Sequence, residues 1–522
     1  MKYPFNIALF LLLVFSLSGC KTSGDGDRVS SCVLKTNDFR HYVEYFNRME
    51  DENIIQAIPD SLSWEWMEQN IPLFECPQDN FEEIYYYRWW TLRKHIKETP
   101  EGYVFTEFLV PRSYADKYNL IACAMGHHIM EARWLADRTF LDDYIHVWYR
   151  GNNGKPMEKL HNFSNYTPHA LVEKFKVDRD TSWLLDMLPD LQADYLLWEQ
   201  ERRLPSGLFW QEDVKDGMEE SISGGRRVKN ARPTINSYMF ANAAAIATMA
   251  EMAGEDEMAR YFSLKADTLK SLVQDSLWNA TGSFFETLRP GGDFADVREA
   301  IGYIPWMVNL PAPDRGFEKA WEQLMDPEGF LAPFGLTTAE QRHPEFRSHG
   351  CCNCEWDGAT WPFATSQTMT ALEHLLKNYE QEYVSSSDYF RHMELYVQSQ
   401  YYRGRPYIGE YLDESTGYWL KGDQERSRYY NHSTFNDLLI TGLAGLTPRL
   451  DEVIELCPLL PEDQWDWFCL DKLSYHGKTL TIVWDRNGTK YSLGKGLMLL
   501  VNGKKVARSD RLERLVYDPG QK

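Results

Sequence analysis

The chain lacks the excess of positive charge that a nucleic-acid partner requires. Its 522 residues include 55 Lys and Arg against 77 Asp and Glu, so the net charge is −22. Phosphate backbones are bound by basic patches, and an excess of carboxylates repels them. The composition therefore predicts that nucleic acid is not a partner.

Long apolar runs are also missing, except for one short stretch at the beginning of the chain. Lys2 is followed by the apolar residues 7–15, a stretch too short to cross a bilayer. It ends in Leu17-Ser18-Gly19-Cys20, which resembles a bacterial lipobox. The resemblance implies cleavage before Cys20 and a thioether-linked lipid on that cysteine.

The beginning of the chain is thus predicted to direct the protein to a membrane surface. Residues 1–19 are interpreted as a lipoprotein signal peptide, and residues 20–36 as the lipidated cysteine with a polar, flexible tether. We expect a protein held by its lipid outside the cytoplasm, at the outer membrane, on its periplasmic or its surface face. The oligomeric state is left open.

No spacing typical of a metal site is present. His127-His128 with Glu131 lacks the two histidines at i and i+4 that zincins use. Cys351, Cys352 and Cys354 crowd together, but no matching His/Cys pair lies nearby. We therefore predict no metal and no cofactor. The cysteines other than Cys20 could pair in an oxidising compartment, with a connectivity that the sequence leaves open.

What the chain does contain is a long series of amphipathic segments. From Asp38 to about Leu446, apolar residues recur at three- and four-residue spacing, which predicts about twelve helices. The stretch ANAAAIATMA is apolar nearly all round, which suits an inner helix covered by a partner. We expect a mainly α fold, an (α/α)6 toroid of helical hairpins over residues 37–446. An open α-solenoid is the rival, and the lack of a clean repeat period counts against it.

The last part of the chain follows a different pattern. After residue 447 the helical periodicity is lost, and TLTIVWD, TKYSLGKGLMLLV and KKVA are separated by Asn487-Gly488 and Asn502-Gly503. Asn-Gly is a strong hairpin signal because both turn positions need positive φ. Residues 447–522 are therefore predicted to form a small β-rich appendage.

Two loops rich in carboxylates stand out as candidate chemistry. The stretch from Trp210 to Tyr238 begins as a loop with five carboxylates, at Glu212, Asp213, Asp216, Glu219 and Glu220. A second loop, from Tyr407 to Leu420, holds Glu410 among aromatic residues. The plain alternative is a solvated acidic surface. At one end of a helical barrel, however, the two loops can converge and flank a glycosidic bond.

A third stretch, from Cys351 to Leu376, brings Trp356 and Trp361 to the mouth of a predicted helix. Such rings suit the floor of a sugar site, although they could equally be packing anchors. Together these stretches resemble the six-hairpin glycoside hydrolases around glycoside hydrolase family 63 and bacterial mannosylglycerate hydrolase. WDGATWPFATSQT is similar to the tryptophan loop of that group, DGMEESISGG to its general-acid loop, and GEYLDESTG to its general-base loop. The resemblance covers roughly residues 88–446.

The resemblance implies an inverting, exo-acting glycosidase for α-linked glycan fragments, with Glu219 as general acid and Glu410 as general base. Family members usually carry Asp at the acid position, so Asp216 or Glu220 could take the role instead. The Arg of the family's tryptophan loop is replaced by Asp357. The candidate substrate-binding residues are mostly aromatic or hydrogen-bonding: Tyr87, Trp89, Trp90, Asp216, Arg232, Asn236, Tyr238, Trp356, Asp357 and Trp361.

Two other functions remain open at this point. The altered acid position and the missing Arg fit a non-catalytic glycan-binding lipoprotein on a degenerate glycosidase fold. A six-hairpin lyase or epimerase would use Tyr, His or Arg to abstract a proton, and His127, His128 and His432 are present. The expected partner in every case is an oligosaccharide or glycoside. The sequence does not indicate which sugar or linkage.

Overall fold

The protein is described by a computed structural model, which covers residues 32–349 and 354–520. The predicted signal peptide, Cys20, most of the tether, Cys351 and Cys352 lie outside the described residues. Within them, no helix is long and apolar enough to cross a membrane.

The described chain is mainly helical, and its helices pair around a common centre as the predicted (α/α)6 barrel. The prediction of a mainly α, six-hairpin fold is confirmed. The helices are α1 Arg40–Phe46, α2 Ser63–Asn70, α3 Asp79–Lys94, α4 Met125–Ala132, α5 Thr139–Arg150, α6 Thr167–Asp178, α7 Thr181–Arg202, α8 Pro233–Ala253, α9 Asp256–Ser276, α10 Ile304–Met307, α11 Pro362–Asn378, α12 Ser386–Ser399 and α13 Asn436–Leu438.

The α8–α9 hairpin illustrates the two layers. Helix α8 carries the alanine-rich stretch and is buried along most of its length, because its small side chains allow neighbouring helices to approach closely. It ends at Gly254, whose φ of +73° closes the last turn in the left-handed conformation. Helix α9 covers α8 with an apolar stripe that includes Phe262 and Val273, while Leu264 on its outer face is 67% exposed. An inner helix covered by an amphipathic partner is the arrangement that the sequence predicts.

The strands lie mainly in the last part of the chain, with short hairpins between the helices. The strands are β1 Leu73–Glu75, β2 Ile96–Thr99, β3 Gly102–Phe105, β4 Trp278–Asn279, β5 Phe284–Phe285, β6 Leu331–Ala332, β7 Gly335–Leu336, β8 Tyr401–Tyr402, β9 Arg405–Pro406, β10 Leu446–Thr447, β11 Ile454–Leu456, β12 Trp467–Tyr475, β13 Lys478–Asp485, β14 Gly496–Val501, β15 Lys504–Ser509 and β16 Leu515–Tyr517.

The largest sheet has five antiparallel strands in the order β1-β12-β13-β14-β15. Strand β1 precedes α3, so this sheet takes one edge strand from the beginning of the described chain. Asp471 on β12 strengthens the link, because its carboxylate accepts hydrogen bonds from the backbone N–H groups of Val33 and Leu34. The helical and β-rich parts therefore share a sheet, and the domain boundary after residue 446 stays a prediction.

Only one of the two Asn-Gly pairs forms the tight turn that we predicted. Asn502 and Gly503 have φ values of 50° and 75° and join β14 directly to β15. Asn487-Gly488 instead lies in the longer connection over residues 486–495. There the Asp485 carboxylate accepts four backbone N–H groups, from Gly488 through Tyr491. This local capping stabilises an open loop, so the predicted strand begins only at Gly496.

A cavity lies inside the barrel, lined by side chains from α4, α6 and α11. Its charged lining residues are paired with one another: Arg133 lies 2.8 Å from Asp437, and Lys377 lies 2.9 Å from Glu373. The described lining includes neither Glu219 nor Glu410. The candidate site is therefore distinct from this interior cavity.

Candidate active site

The loop that carries Glu219 folds around a buried arginine. This acid loop, residues 203–232, leads into α8, and Arg232 is the residue immediately before that helix. The Arg232 Nε lies 2.6 Å from an Asp216 oxygen, and both side chains are fully buried. Arg232 also donates to Ser223 Oγ at 3.0 Å. Two of the predicted substrate-binding residues, Asp216 and Arg232, thus hold the loop in shape through an interaction with each other.

Gly224 allows the acid loop to pack closely against the side chain of Asp213. A Cβ on Gly224 would lie 2.0 Å from an oxygen of Asp213, so any larger residue would displace that carboxylate. Asp213 is buried and accepts the backbone N–H of Val214. The negative charge of the buried Asp213 raises the pKa of Glu219.

Glu219 occupies a turn of the acid loop and is partly buried. Burial is the main cause that raises the pKa of Glu219 to about 7, and the negative charges of Glu410 and Asp213 add to it. A carboxyl with this pKa keeps its proton near neutral pH and can donate it. Asp216 is less suited to donation because Arg232 holds it as a buried ion pair, and Glu220 is paired with Arg226.

Glu410 lies in surroundings of the opposite charge. It belongs to the base segment, residues 400–435, between α12 and α13. Lys421 Nζ lies 3.1 Å and Arg426 a guanidinium nitrogen 3.3 Å from its Oε2, and the Glu410 side chain is only 5% exposed. Two cations at this distance attract the Glu410 carboxyl group electrostatically. Cys354 Sγ lies 3.7 Å from the other oxygen of Glu410.

The third loop joins the site through backbone pairing and ring stacking. Thr360, in the tryptophan loop of residues 354–361, exchanges both backbone hydrogen bonds with Leu412 of the base segment, each at 3.0 Å. Trp356 stacks on Trp361, and Trp361 on Tyr411, with ring centroids 4.5 Å apart in each case. The predicted Trp356 and Trp361 therefore lie beside Glu410 as one aromatic layer.

Asp357 stands where the family's tryptophan loop usually has an arginine, and a different arginine, Arg347, lies close to it. Asp357 is buried and accepts the backbone N–H of His349 at 2.8 Å. Arg347, from the preceding loop, donates its backbone N–H to the Asp357 carbonyl and forms ion pairs with Glu355 and Glu414. A guanidinium is thus present in this region, but it comes from a different position in the sequence.

The other predicted substrate-binding residues have protein partners in the barrel wall. Tyr87 and Trp90 are buried and stack on each other, and Trp89 packs against Tyr85. Asn236 holds the backbone N–H and C=O of Phe209, at 2.7 and 2.8 Å. Tyr238 accepts a hydrogen bond from Gln367. These contacts stabilise the barrel, and a role in binding substrate stays a prediction for these residues.

The structure adds one carboxyl that sequence reasoning missed. Glu107 follows β3, is 3% exposed, and interacts electrostatically with both Glu219 and Glu410. Burial, with these two charges, raises its pKa to about 8. In the sequence, Glu107 stands out only as a single acid within the apolar run YVFTEFLV. An acid in such a run is rarely buried unless it is paired, so its position could have indicated a buried polar site.

The three histidines considered for a lyase are all buried. Burial lowers the pKa of His127 to about 3 and that of His128 to about 4, and it lowers the pKa of His432 well below its ordinary value. His128 is held by Tyr144 and by the Asn431 carbonyl. Bases this weak are poorly matched to proton abstraction near neutral pH.

No group of three or more His, Cys, Asp or Glu within residues 32–349 and 354–520 could hold a metal ion. Cys351 and Cys352 lie outside these ranges. Cys76, Cys123, Cys354, Cys457 and Cys469 are free thiols. Burial raises the pKa of Cys354 to about 12, so its thiol keeps its proton beside Glu410.

Comparison with solved structures places the fold among glycoside hydrolases. A protein named sialidase is 62% identical, with a TM-score of 0.93, over 94% of this chain and 45% of its own length. The chain thus spans less than half of that relative. The GH63 mannosylglycerate hydrolase from Thermus thermophilus is 13% identical over 68% of this chain and 98% of its own, with a TM-score of 0.51. The GH78 rhamnosidase of a Bacillus species is 12% identical over 83% of this chain and 41% of its own, with a TM-score of 0.57. The last two likenesses concern the fold alone.

Family models match both parts of the chain. Residues 449–508 match the C-terminal domain of glycosyl hydrolase family 65. Residues 117–433, more than half of the chain, match the mannosylglycerate hydrolase MGH1-like glycoside hydrolase domain and include both Glu219 and Glu410. The resemblance inferred from the three loops is thereby confirmed, and the chain belongs to the family of MGH1-like glycoside hydrolase domains.

Proposed function

We propose that this chain is an inverting, exo-acting glycosidase for α-linked glycan fragments, with Glu219 as general acid and Glu410 as general base. The observation that carries the proposal is the contrast between the two carboxyls. Burial and neighbouring acids favour a proton on Glu219 near neutral pH, whereas Lys421 and Arg426 lie against Glu410. One protonated and one ionised carboxyl are what inverting hydrolysis requires.

In the proposed reaction, Glu219 transfers its proton to the glycosidic oxygen as the bond from that oxygen to the anomeric carbon breaks. Glu410 takes a proton from a water that attacks the opposite face of the sugar, so the product has the inverted anomeric configuration. These two carboxyls account for both proton transfers, and the proposal includes no cofactor. Trp356, Trp361 and Tyr411 are buried and stacked on one another, and Tyr411 is the residue after Glu410, so we propose that these rings support the base segment from behind.

A digestion panel with product analysis tests this function. The panel contains mannosylglycerate, α-linked neutral oligosaccharides, rhamnosides and, because the 62% identical relative is named sialidase, sialosides. Release of single terminal sugars by the wild type, lost in Glu219→Gln and Glu410→Gln, is the expected result. Turnover that survives in both variants would assign the chemistry to other residues. Binding without turnover across the panel would support a non-catalytic glycan-binding protein.

The proposal extends to location. Because residues 17–20 resemble a lipobox, we propose that Cys20 carries a lipid and that the protein is anchored outside the cytoplasm, at the outer membrane. Residues 37–446 would then form the catalytic domain, and residues 447–522 an appended β-rich domain. An oligosaccharide would be the substrate, and the membrane would be contacted only through the anchor.

A further inference from the structure

Glu107 touches groups that lead to both proposed catalytic loops. The Tyr430 hydroxyl donates a hydrogen bond to one Glu107 oxygen, and Cys123 Sγ lies 3.5 Å from the other. The Glu107 backbone carbonyl accepts the N–H of Asn431 at 3.0 Å. Each oxygen of the Glu107 carboxyl therefore has a protein partner, Tyr430 on one side and Cys123 on the other.

From these partners, one path runs to the base and the other to the acid. Tyr430 donates its backbone N–H to the carbonyl of Ile408, two residues before Glu410. On the other side, Cys123 lies against Gly217, two residues before Glu219: a Cβ on Gly217 would lie 3.6 Å from Cys123 Sγ. Glu107 thus contacts the base segment directly, through Tyr430, and is linked to the acid loop through Cys123.

We infer that Glu107 is a third carboxyl of this site, a positioning residue that is linked to the base segment through Tyr430 and to the acid loop through Cys123, and that is coupled electrostatically to Glu219. This inference deepens the proposed function and rests on it only for the roles given to Glu219 and Glu410. A neutral carboxylic acid can occupy a buried position near other carboxyls without adding a negative charge.

The groups that face Glu107 come from several elements and explain why it stays protonated. Tyr114 follows β3, Cys123 precedes α4, Tyr144 lies on α5, and Tyr430 lies in the base segment. These are neutral at pH 7, and the charges that raise the pKa of Glu107 are those of Glu410 and, once it has lost its proton, Glu219. The pKa of Glu107 is raised to about 8, chiefly by burial.

A pH-dependent double-mutant cycle tests the inference without any substrate. The free energy of unfolding of the full chain is measured by denaturant titration from pH 5 to pH 9 for the wild type, Glu107→Gln, Glu219→Gln and the double variant. A buried carboxyl with a raised pKa loses stability as pH rises from its unfolded to its folded value. Glu107→Gln removes this loss, so its folding constant relative to the wild type should rise by about tenfold per pH unit, up to about pH 8.

We call the pH range over which Glu107→Gln gains stability relative to its parent the pH window of Glu107. The decisive readout is whether Glu219→Gln changes the upper end of this window. Removing the charge of Glu219 lowers the pKa of Glu107, so the window should end at a lower pH in the double cycle. The matched control is Glu286→Gln, whose carboxyl also has a raised pKa, about 7, but acts with Asn279 and Arg298. Its window should be the same with and without Glu219→Gln.

If Glu107→Gln does not fold, Tyr430→Phe replaces it in the cycle. Loss of the Tyr430 hydroxyl removes a hydrogen bond that favours the ionised form of Glu107, so the pKa of Glu107 should rise. The stability of Tyr430→Phe should therefore keep falling to a higher pH than that of the wild type. Adding Glu219→Gln should again lower the pH at which this fall ends. A window that is the same in both Glu219 backgrounds would overturn the inference. Because unfolding is measured, the outcome is independent of whether any glycan is cleaved.

Discussion

Arg232 and Asp216 form a fully buried ion pair, 2.6 Å long, at the point where the acid loop enters helix α8. The pair fixes the end of a loop that otherwise consists of turns and in which Gly224 packs closely against Asp213. The pair also makes Asp216 a less suitable proton donor than Glu219, because the guanidinium of Arg232 favours its ionised form. The position of Glu219 therefore depends on a contact that Glu219 does not itself make.

Breaking this pair should destabilise the protein strongly. Asp216→Asn or Arg232→Met leaves one buried charge without its partner, which costs about 3–5 kcal/mol of unfolding free energy. The exposed pair of Arg40 and Glu44 is the control, since removing either partner should change stability by less than about 1 kcal/mol. Denaturant titration measures both. A loss at Asp216 no larger than that of the control would contradict a structural role for the pair.

Glu219→Gln should reduce turnover most on substrates with poor leaving groups. An activated aryl leaving group needs little protonation, whereas a sugar leaving group needs the full contribution of a general acid, about 10²–10⁴-fold. The ratio of kcat/KM for the two substrate types is the measurement. Glu220→Gln serves as control, because its carboxylate pairs with Arg226 near the surface. An equal loss on both substrate types would argue against Glu219 as the acid.

Glu410→Gln should impair all glycosidic substrates, because activation of the water does not depend on the leaving group. We expect a loss of about 10²–10⁴-fold in kcat, with the exposed Glu425→Gln on the same segment as control. NMR of the first sugar released by the wild type reports the stereochemistry. An inverting enzyme also needs its carboxyl groups roughly 6.5–9.5 Å apart to admit the water. A product that keeps the configuration of the substrate would contradict the inverting assignment.

The pH dependence of the reaction should follow Glu219 on its alkaline side. Glu219 acts in its protonated form and its pKa is about 7, so kcat/KM should fall about tenfold per pH unit above that value. Stability should change in the same direction, because an acid with a raised pKa loses its stabilising contribution as pH rises from about 4.5 to 7. In Glu219→Gln, the residual activity should lack this alkaline decline. A decline that is unchanged in the variant would assign it to another group.

Replacing Cys20 tests the proposed anchor. Cys20→Ser should leave an unlipidated precursor that stays in the aqueous phase when membranes are extracted with a phase-separating detergent. Cys32→Ser, a cysteine outside the lipobox-like motif, is the control and should partition as the wild type does. Membrane association that is unchanged in Cys20→Ser would contradict lipid anchoring.

Much of the fold follows from the sequence, because it depends on local periodicity. The alanine-rich α8 and the amphipathic α9 can be predicted as an inner and an outer helix from the side chains alone. Asn502-Gly503 likewise specifies its turn, since both residues adopt the positive φ that the turn needs. Asn487-Gly488 has the same two letters but a different outcome, because the Asp485 carboxylate caps the following backbone and favours a loop.

For the candidate site, the sequence determined which loops hold the proposed catalytic residues, and tertiary structure decided which side chains meet there. Glu219 and Glu410 were found through loop motifs, which are local. Lys421 and Arg426 beside Glu410, and Glu107 beside both acids, could not be found in this way, because their contacts join residues far apart in the chain. The same holds for Trp89 and Trp90, whose type suggests a sugar site and whose burial places them in the wall. Composition and spacing specify what a residue can do; packing determines what surrounds it, and hence its charge and its role.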